Sequence, residues 1–169
     1  MILVGVSADQ NLAEVIAQMP AAIRAALVPR VTALALILQA HIQKNKLSGQ
    51  VLNVVSGALR RSIHSTGAIE TDTGVYGEVR SSGDVKYARI HELGGRTKAH
   101  VIEPVKAKAL AFMFNGKMSF FARVNHPGSV IPERSYMRTG LADKAAEIQT
   151  SLKMGVIEGM IAAGGRVSA

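Results

Sequence analysis

The chain contains no cysteine and no tryptophan in 169 residues, and only three tyrosines and four phenylalanines. Without cysteine it can form no disulfide, offers no thiolate to zinc or an iron–sulfur cluster, and has no thiol nucleophile. That usage also fits folding in a reducing compartment. An aromatic share of 4% is too small for a protein that holds single-stranded nucleic acid by base stacking. Long apolar runs are also missing. Met1–Val6 lacks a basic flank and is too short for a signal core. Val31–Ala40 is bounded by Arg30, His41 and Lys44, with Gln39 inside it, well short of the ~20 apolar residues that span a bilayer. The sequence therefore predicts a soluble protein. With 48% apolar and 19% charged residues, it predicts a single domain over 1–169 with a real core.

Catalytic and metal motifs are missing as well. The segment His91-Glu92-Leu93-Gly94-Gly95 begins like a zinc-protease helix, but Gly95 occupies the position where a second imidazole would be needed. His91 and Glu92 are read instead as a polar anchor at a helix end. The remaining histidines (His41, His64, His100, His126) show no ligand spacing. Ser56-Gly57 lacks the nucleophile-elbow context, and Glu70 and Asp72 fall on an apparent turn. Gly94-Gly95 and Gly164-Gly165 are isolated pairs, so no phosphate-binding glycine loop is present. The reading is a non-enzyme with no cofactor and no metal.

Charge is what the chain has in excess. Twenty bases against twelve acids give +8 and a pI near 10.1. Residues 80–138 hold eleven of those bases and four acids. This stretch faces either phosphate or an acidic protein neighbour. Arg60-Arg61 and Arg96-Thr97-Lys98 are candidate phosphate contacts, although no helix-turn-helix, zinc finger or RNA-binding signature accompanies them.

Hydrophobic periodicity divides the chain into elements. Asp9–Gln18 reads as a short helix stopped by Pro20. Ala21–Lys46 reads as a long one, with a buried stripe through Leu27, Val31, Leu34, Ala35, Leu38, His41 and Ile42. Pro29 should kink or restart it. Ser56–Ile63 leads into a short helix. Ser65–Glu70 and Gly74–Arg80 read as strands, and Lys86–Leu93 as a helix ended by Gly94-Gly95. Val101–Glu103, Ala109–Phe114 and Lys117–Arg123 read as strands, the last two joined by the hairpin signal Asn115-Gly116. That hairpin should project as an arm carrying all four phenylalanines and pack on the core or on a neighbouring subunit. Pro127–Pro132 reads as an extended loop. A final helix covers Ser135–Ala162, with its stripe through Leu141, Ala145, Ile148, Leu152, Val156 and Met160. Gly155 and Gly159 lie beside that stripe and permit close helix approach, and 164–169 reads as a fraying tail. The predicted class is α+β: an antiparallel sheet with a long N-terminal and a long C-terminal helix packed on it, a short central helix and a projecting β-hairpin.

Three segments carry a family resemblance. Ser56-Gly57-Ala58-Leu59-Arg60-Arg61-Ser62-Ile63 resembles the T/S-G-x-L-R-x-S-I segment of the tailed-bacteriophage neck proteins, also called head–tail joining or tail-completion proteins. Tyr87-Ala88-Arg89-Ile90-His91-Glu92-Leu93-Gly94-Gly95 resembles that family's Y-A-x-x-x-E-x-G segment. Pro132-Glu133-Arg134-Ser135-Tyr136-Met137-Arg138 resembles its P-x-R-P-F-L-R segment, with Ser135 in place of Pro and Tyr136 in place of Phe. Order and separation agree over 56–163; residues 1–55 carry no such motif. The resemblance implies a virion structural protein, assembled in the bacterial host cytoplasm as a ring of six or twelve copies. It would sit between head-closure and tail-terminator or tail-tube proteins, with DNA passing through the lumen and no membrane partner. Expected interface residues are Arg60, Arg61, His91, Glu92, Arg134, Arg138, Phe120 and Phe121. Expected lumen or DNA-facing residues are Arg96, Lys98, Lys106 and Lys108. Leu59, Ile63 and Tyr136 are assigned to the core; Tyr87 and Leu93 should bury while His91 and Glu92 bond across a subunit seam. A tail terminator, another minor tail protein and a sequence-nonspecific DNA-binding module are the alternatives.

Overall fold

The computed structural model describes residues 3–4, 21–83 and 85–162. The expected helix at Asp9–Gln18 and the tail 164–169 lie outside those residues. The fold is α+β, with two long helices and small antiparallel sheets. In chain order the first elements are strand β1 (Leu3–Val4), helix α1 (Ala21–His41), a π-helical turn (Ile42–Lys46) and helix α2 (Ala58–Arg61). Strands β2 (Ile63–Thr71) and β3 (Gly74–Ser81) and helix α3 (Ala88–Leu93) follow. Six short strands come next: β4 (Gly95–Arg96), β5 (His100–Ile102), β6 (Leu110–Phe114), β7 (Lys117–Phe121), β8 (Val124–His126) and β9 (Val130–Ile131). Helix α4 (Met137–Ala162) closes the chain.

Helix α1 is the middle layer. Ile23, Leu27, Val31, Leu34, Ala35, Leu38 and the following Ile42 are buried, as their three- and four-residue spacing predicts. The helix runs on through Pro29. Pro29 and Ala25 are both exposed, so the carbonyl that loses its partner faces water. Ala21–Lys46 is long and apolar enough to cross a membrane by length and composition. In this fold the helix packs against the sheet on one side and α4 on the other; 33% of that apolar window is buried, and Leu36 and Ile37 are 54% and 41% exposed.

The sheet has the order β1-β3-β2, all antiparallel. Strand β2 is an edge, and α1 covers part of it with polar side chains. Gln39 Oε1 accepts from the Ser65 N–H at 2.7 Å, and Thr32 Oγ1 from the Ala68 N–H at 3.1 Å. The register shifts between Ser65 and Ala68, a bulge that occupies edge donors otherwise open to strand addition.

Helix α4 makes its principal contact with α1, so the two long helices form successive layers instead of sharing one sheet face. They run antiparallel, with Gly140 against Ile42 and Gly159 against Ile23. The contact line runs through Met137, Gly140, Ile148, Gly155 and Gly159, all buried. The expected stripe residue Met160 is 43% exposed. The glycines set this rotation: α1 approaches most closely where no Cβ stands in the way.

The arm differs most from its expected form. Pairing is in one register from Gly95↔Ile131 to Ile102↔Val124, and the Thr97 N–H donates to the Ser129 carbonyl at 2.9 Å between the two ladders. The stretch expected as a loop around Pro127 is thus the return strand of a ribbon. Glu103–Ala109 bulges opposite Ala122–Arg123, after which Leu110↔Phe121 to Phe114↔Lys117 form the tip. At the turn Asn115 has φ 48° and Gly116 φ 76°, the left-handed pair that a two-residue hairpin needs.

Gly159→Ala provides a test of the helix contact. The new Cβ would collide with Ile23 Cα, a backbone atom that cannot swing aside. Overpacking of that kind costs about 1–3 kcal/mol and outweighs the ~1 kcal/mol gain in helix propensity. The thermal midpoint should fall by roughly 2–4 °C per kcal/mol lost; a rise would refute the packing.

Candidate functional site

The three resembling segments, far apart in sequence, contribute Leu59, Ile63, Ala88, Tyr136 and Met137 to one buried cluster. The second and third are joined at Glu92, which has 0% exposed surface. Its carboxylate accepts from the backbone N–H groups of Tyr136 (2.7 Å), Met137 (2.9 Å) and Arg138 (3.0 Å). These are amides at the start of α4, which no helical carbonyl satisfies. A full negative charge there also meets the positive end of the helix dipole. Arg138 adds its Nε to the carboxylate at 3.4 Å, a second guanidinium nitrogen to the Glu92 carbonyl at 3.2 Å, and an ion pair with Glu133 at 2.6 Å. Glu92 is therefore the N-terminal cap of α4, supplied from another helix.

This arrangement corrects one interface assignment. Glu92 does not reach across a subunit seam, because it is fully buried and both its oxygens are used within its own chain. Arg138 pairs with Glu92 and Glu133 of its own chain, and its side chain is 51% exposed. Tyr136 and Met137 are buried beside the cap, and the Tyr136 hydroxyl donates to the Ala88 carbonyl at 3.3 Å. Burial first, and then the nearby Glu92, push that phenol well above its usual range. Leu59 and Ile63 are in the core as expected. Tyr87 and Leu93 are not: they are 44% and 47% exposed. The single helical turn at 88–93 turns Ala88 and Glu92 inward, which leaves its flanking residues outside.

Beside the cap lies a groove of about 520 Å³, lined by residues 52–60 with Leu47, Tyr87, His91 and Arg134. Its walls include Val54 and Val55, which are 46% and 97% exposed. The sequence reading missed the wall at 47–55 because no motif runs through it; the exposed Val54-Val55 pair before the Ser56-Gly57 turn was its only signal. Arg60 donates to Ser48 Oγ (3.3 Å) and Arg61 to the Ser56 carbonyl (3.0 Å). The Arg134 N–H donates to the His91 carbonyl at 2.8 Å, while its exposed side chain forms no ion pair among the described residues. His91 stacks edge-on against Tyr87, and its Nδ1 is buried without a partner. Desolvation, and then the Arg134 charge, lower its pKa from 6.5.

The expected DNA-facing cations all lie on the arm. Arg96 and Lys98 stand at its root, Lys106 and Lys108 in the bulge, with Arg123 opposite and Lys117 at the turn. All six are exposed, and none pairs with a carboxylate among the described residues. Phe120 is 70% exposed, while Phe121 stacks on Phe112 at 5.1 Å and meets Phe114 edge-on at 6.1 Å. No group of three potential metal ligands converges among the described residues. Comparison with protein-family models, characterised proteins and solved structures finds no match.

Two outcomes follow from this geometry. Glu92→Gln keeps the shape but removes the charge from three amides, and should cost about 2–4 kcal/mol in denaturant unfolding; a loss below ~0.5 kcal/mol would contradict the capping role. Folding holds His91 neutral at pH values where the unfolded chain protonates it. Its contribution is complete above pH 6.5 and is lost as pH falls through that value towards the folded pKa. The thermal midpoint should therefore drop on acidification, and His91→Gln should flatten that slope.

Proposed function

We propose that this chain is a structural ring subunit of a tailed-phage virion: a neck, head–tail joining protein that links head-closure proteins to the tail. The observation that carries the reading is the convergence of the three resembling segments on the Glu92 cap and its groove. Residues separated by more than seventy positions serve one local structure, which gives their joint occurrence a physical reason. The rest of the fold suits the role: a layered body and a ribbon reaching away from it. In such a ring the neighbours are copies of itself, head-closure proteins on one face and tail-terminator or tail-tube proteins on the other. The six cations of the ribbon, unpaired among the described residues, suit a lumen through which DNA passes.

Those same cations support a second reading, a sequence-nonspecific DNA-binding module. Mass separates the two. The ring reading expects one closed species of six or twelve times 17.9 kDa by native mass spectrometry, with weak duplex binding by the isolated chain. A monomer at every concentration, with duplex affinity falling steeply as salt rises, would favour the DNA module.

A further inference from the structure

The tip of the arm is apolar on both faces. On one face Phe112, Phe114 and Phe121 pack their rings on one another. On the other, Met113, Met118 and Phe120 are 61%, 59% and 70% exposed, with Met113 directly opposite Met118. An isolated two-stranded hairpin is marginal in water, and bulky apolar side chains grouped on one exposed face mark a contact surface. The groove beside Glu92 has the matching character: Leu47, Leu52, Val54, Val55 and Leu59 supply apolar walls, with the cations Arg60 and Arg134 at hand.

We infer that the Met113/Met118/Phe120 face of one copy docks into the Val54–Arg60/Tyr87/Arg134 groove of the next. The contact must be between copies. The groove flanks the arm's own root, because α3 ends at Leu93, β4 begins at Gly95, and Arg134 is tied to the His91 carbonyl. Pairing in one register from Gly95 to Ile102, carried across the gap between the two ladders by the Thr97–Ser129 bond, sets the tip roughly 25 Å or more along the ribbon from that root, at ~3.3 Å per residue. A tip of one copy against a groove of another is a head-to-tail contact, which closes into a ring or propagates as a filament.

Size and chemistry agree. A groove of about 520 Å³ accommodates roughly two or three bulky side chains, each burying about 150–250 Å². A phenylalanine ring entering beside arginine gains a cation–π contact, which an aliphatic tip would not. The cations of the arm lie outside the pairing face, at its root, bulge and turn, and stay available to a polyanion along the ribbon.

The inference rests on the ring reading and names the contact that builds the ring. Since the chain has no cysteine, disulfide trapping can test it directly. Val55→Cys and Met118→Cys in one chain should, on mild oxidation of the assembled protein, give a denaturation-resistant ladder ending at the oligomer mass. Each single variant should stay a monomer on the same gel. The triple variant Met113→Ser, Met118→Ser, Phe120→Ser should keep the wild-type thermal midpoint, since these side chains lie outside the core. That comparison is made at a concentration where both proteins are monomeric; the triple variant should raise the concentration at half-assembly by about tenfold or more.

Other results would overturn the inference in distinguishable ways. A closed oligomer without the ladder would reject the docking and leave the ring reading standing. Cross-linking by Met118→Cys alone would mean that tips meet tips. A chain that never assembles, and whose triple variant loses binding to a DNA duplex or to anionic vesicles, would assign the tip to that ligand and reject both readings.

Discussion

A buried carboxylate governs this architecture. Removing a charge from water costs several kcal/mol, and Glu92 recovers that cost only because three α4 amides and Arg138 converge on it. The contact does more than cap a helix. The arm departs just after Glu92 and returns just before Tyr136, so the clamp holds together the two ends of a ribbon that spans Gly95–Ile131. Gly94 completes the junction. Its φ is 68°, and a Cβ there would stand 2.9 Å from the Glu133 nitrogen, so the chain can turn into the arm only with glycine at this position.

The body of the molecule was legible in the sequence because its signals are local and periodic. The α1 stripe and the β2–β3 hairpin follow from spacing, as the Asn115-Gly116 turn at the arm's tip follows from turn chemistry, and Leu59, Ile63 and Tyr136 occupy the core positions assigned to them within the resembling segments. What could not be read depends on distant partners. Glu92 is an ordinary helix-end acid until α4 is placed beside it, which is why its cap resembled a subunit contact. Strands β4, β8 and β9 are too short for alternation to show, and Pro127 and Pro132 mimic a loop. The close approach at Gly155 and Gly159 was read from their spacing, but the rotation of α4 was not, because a hydrophobic stripe does not register Gly140, Gly155 and Gly159 as the contact line.

The division between body and arm accounts for the unusual composition. All four phenylalanines lie in the arm's tip, while the described core consists of Leu, Ile, Val, two Ala, one Tyr and one Met. Six of the twenty bases lie on the same ribbon, against Glu103 as its one acid. The N-terminal region joins the body in a quieter way: β1 extends the sheet beside β3. His41 and Lys46 bind Asp143 of α4 at 2.9 and 2.8 Å, and these bonds hold its carboxyl below the usual range.

Amide hydrogen exchange in the wild type and in Glu92→Gln tests the organising role of this carboxylate most directly. The account predicts that the Tyr136, Met137 and Arg138 amides are strongly protected in the wild type. In the variant they should exchange faster, together with those of the ribbon root at Arg96 and Thr97, while α1 amides keep their protection. Unchanged exchange at the start of α4, or acceleration spread evenly over α1 and the sheet, would contradict it.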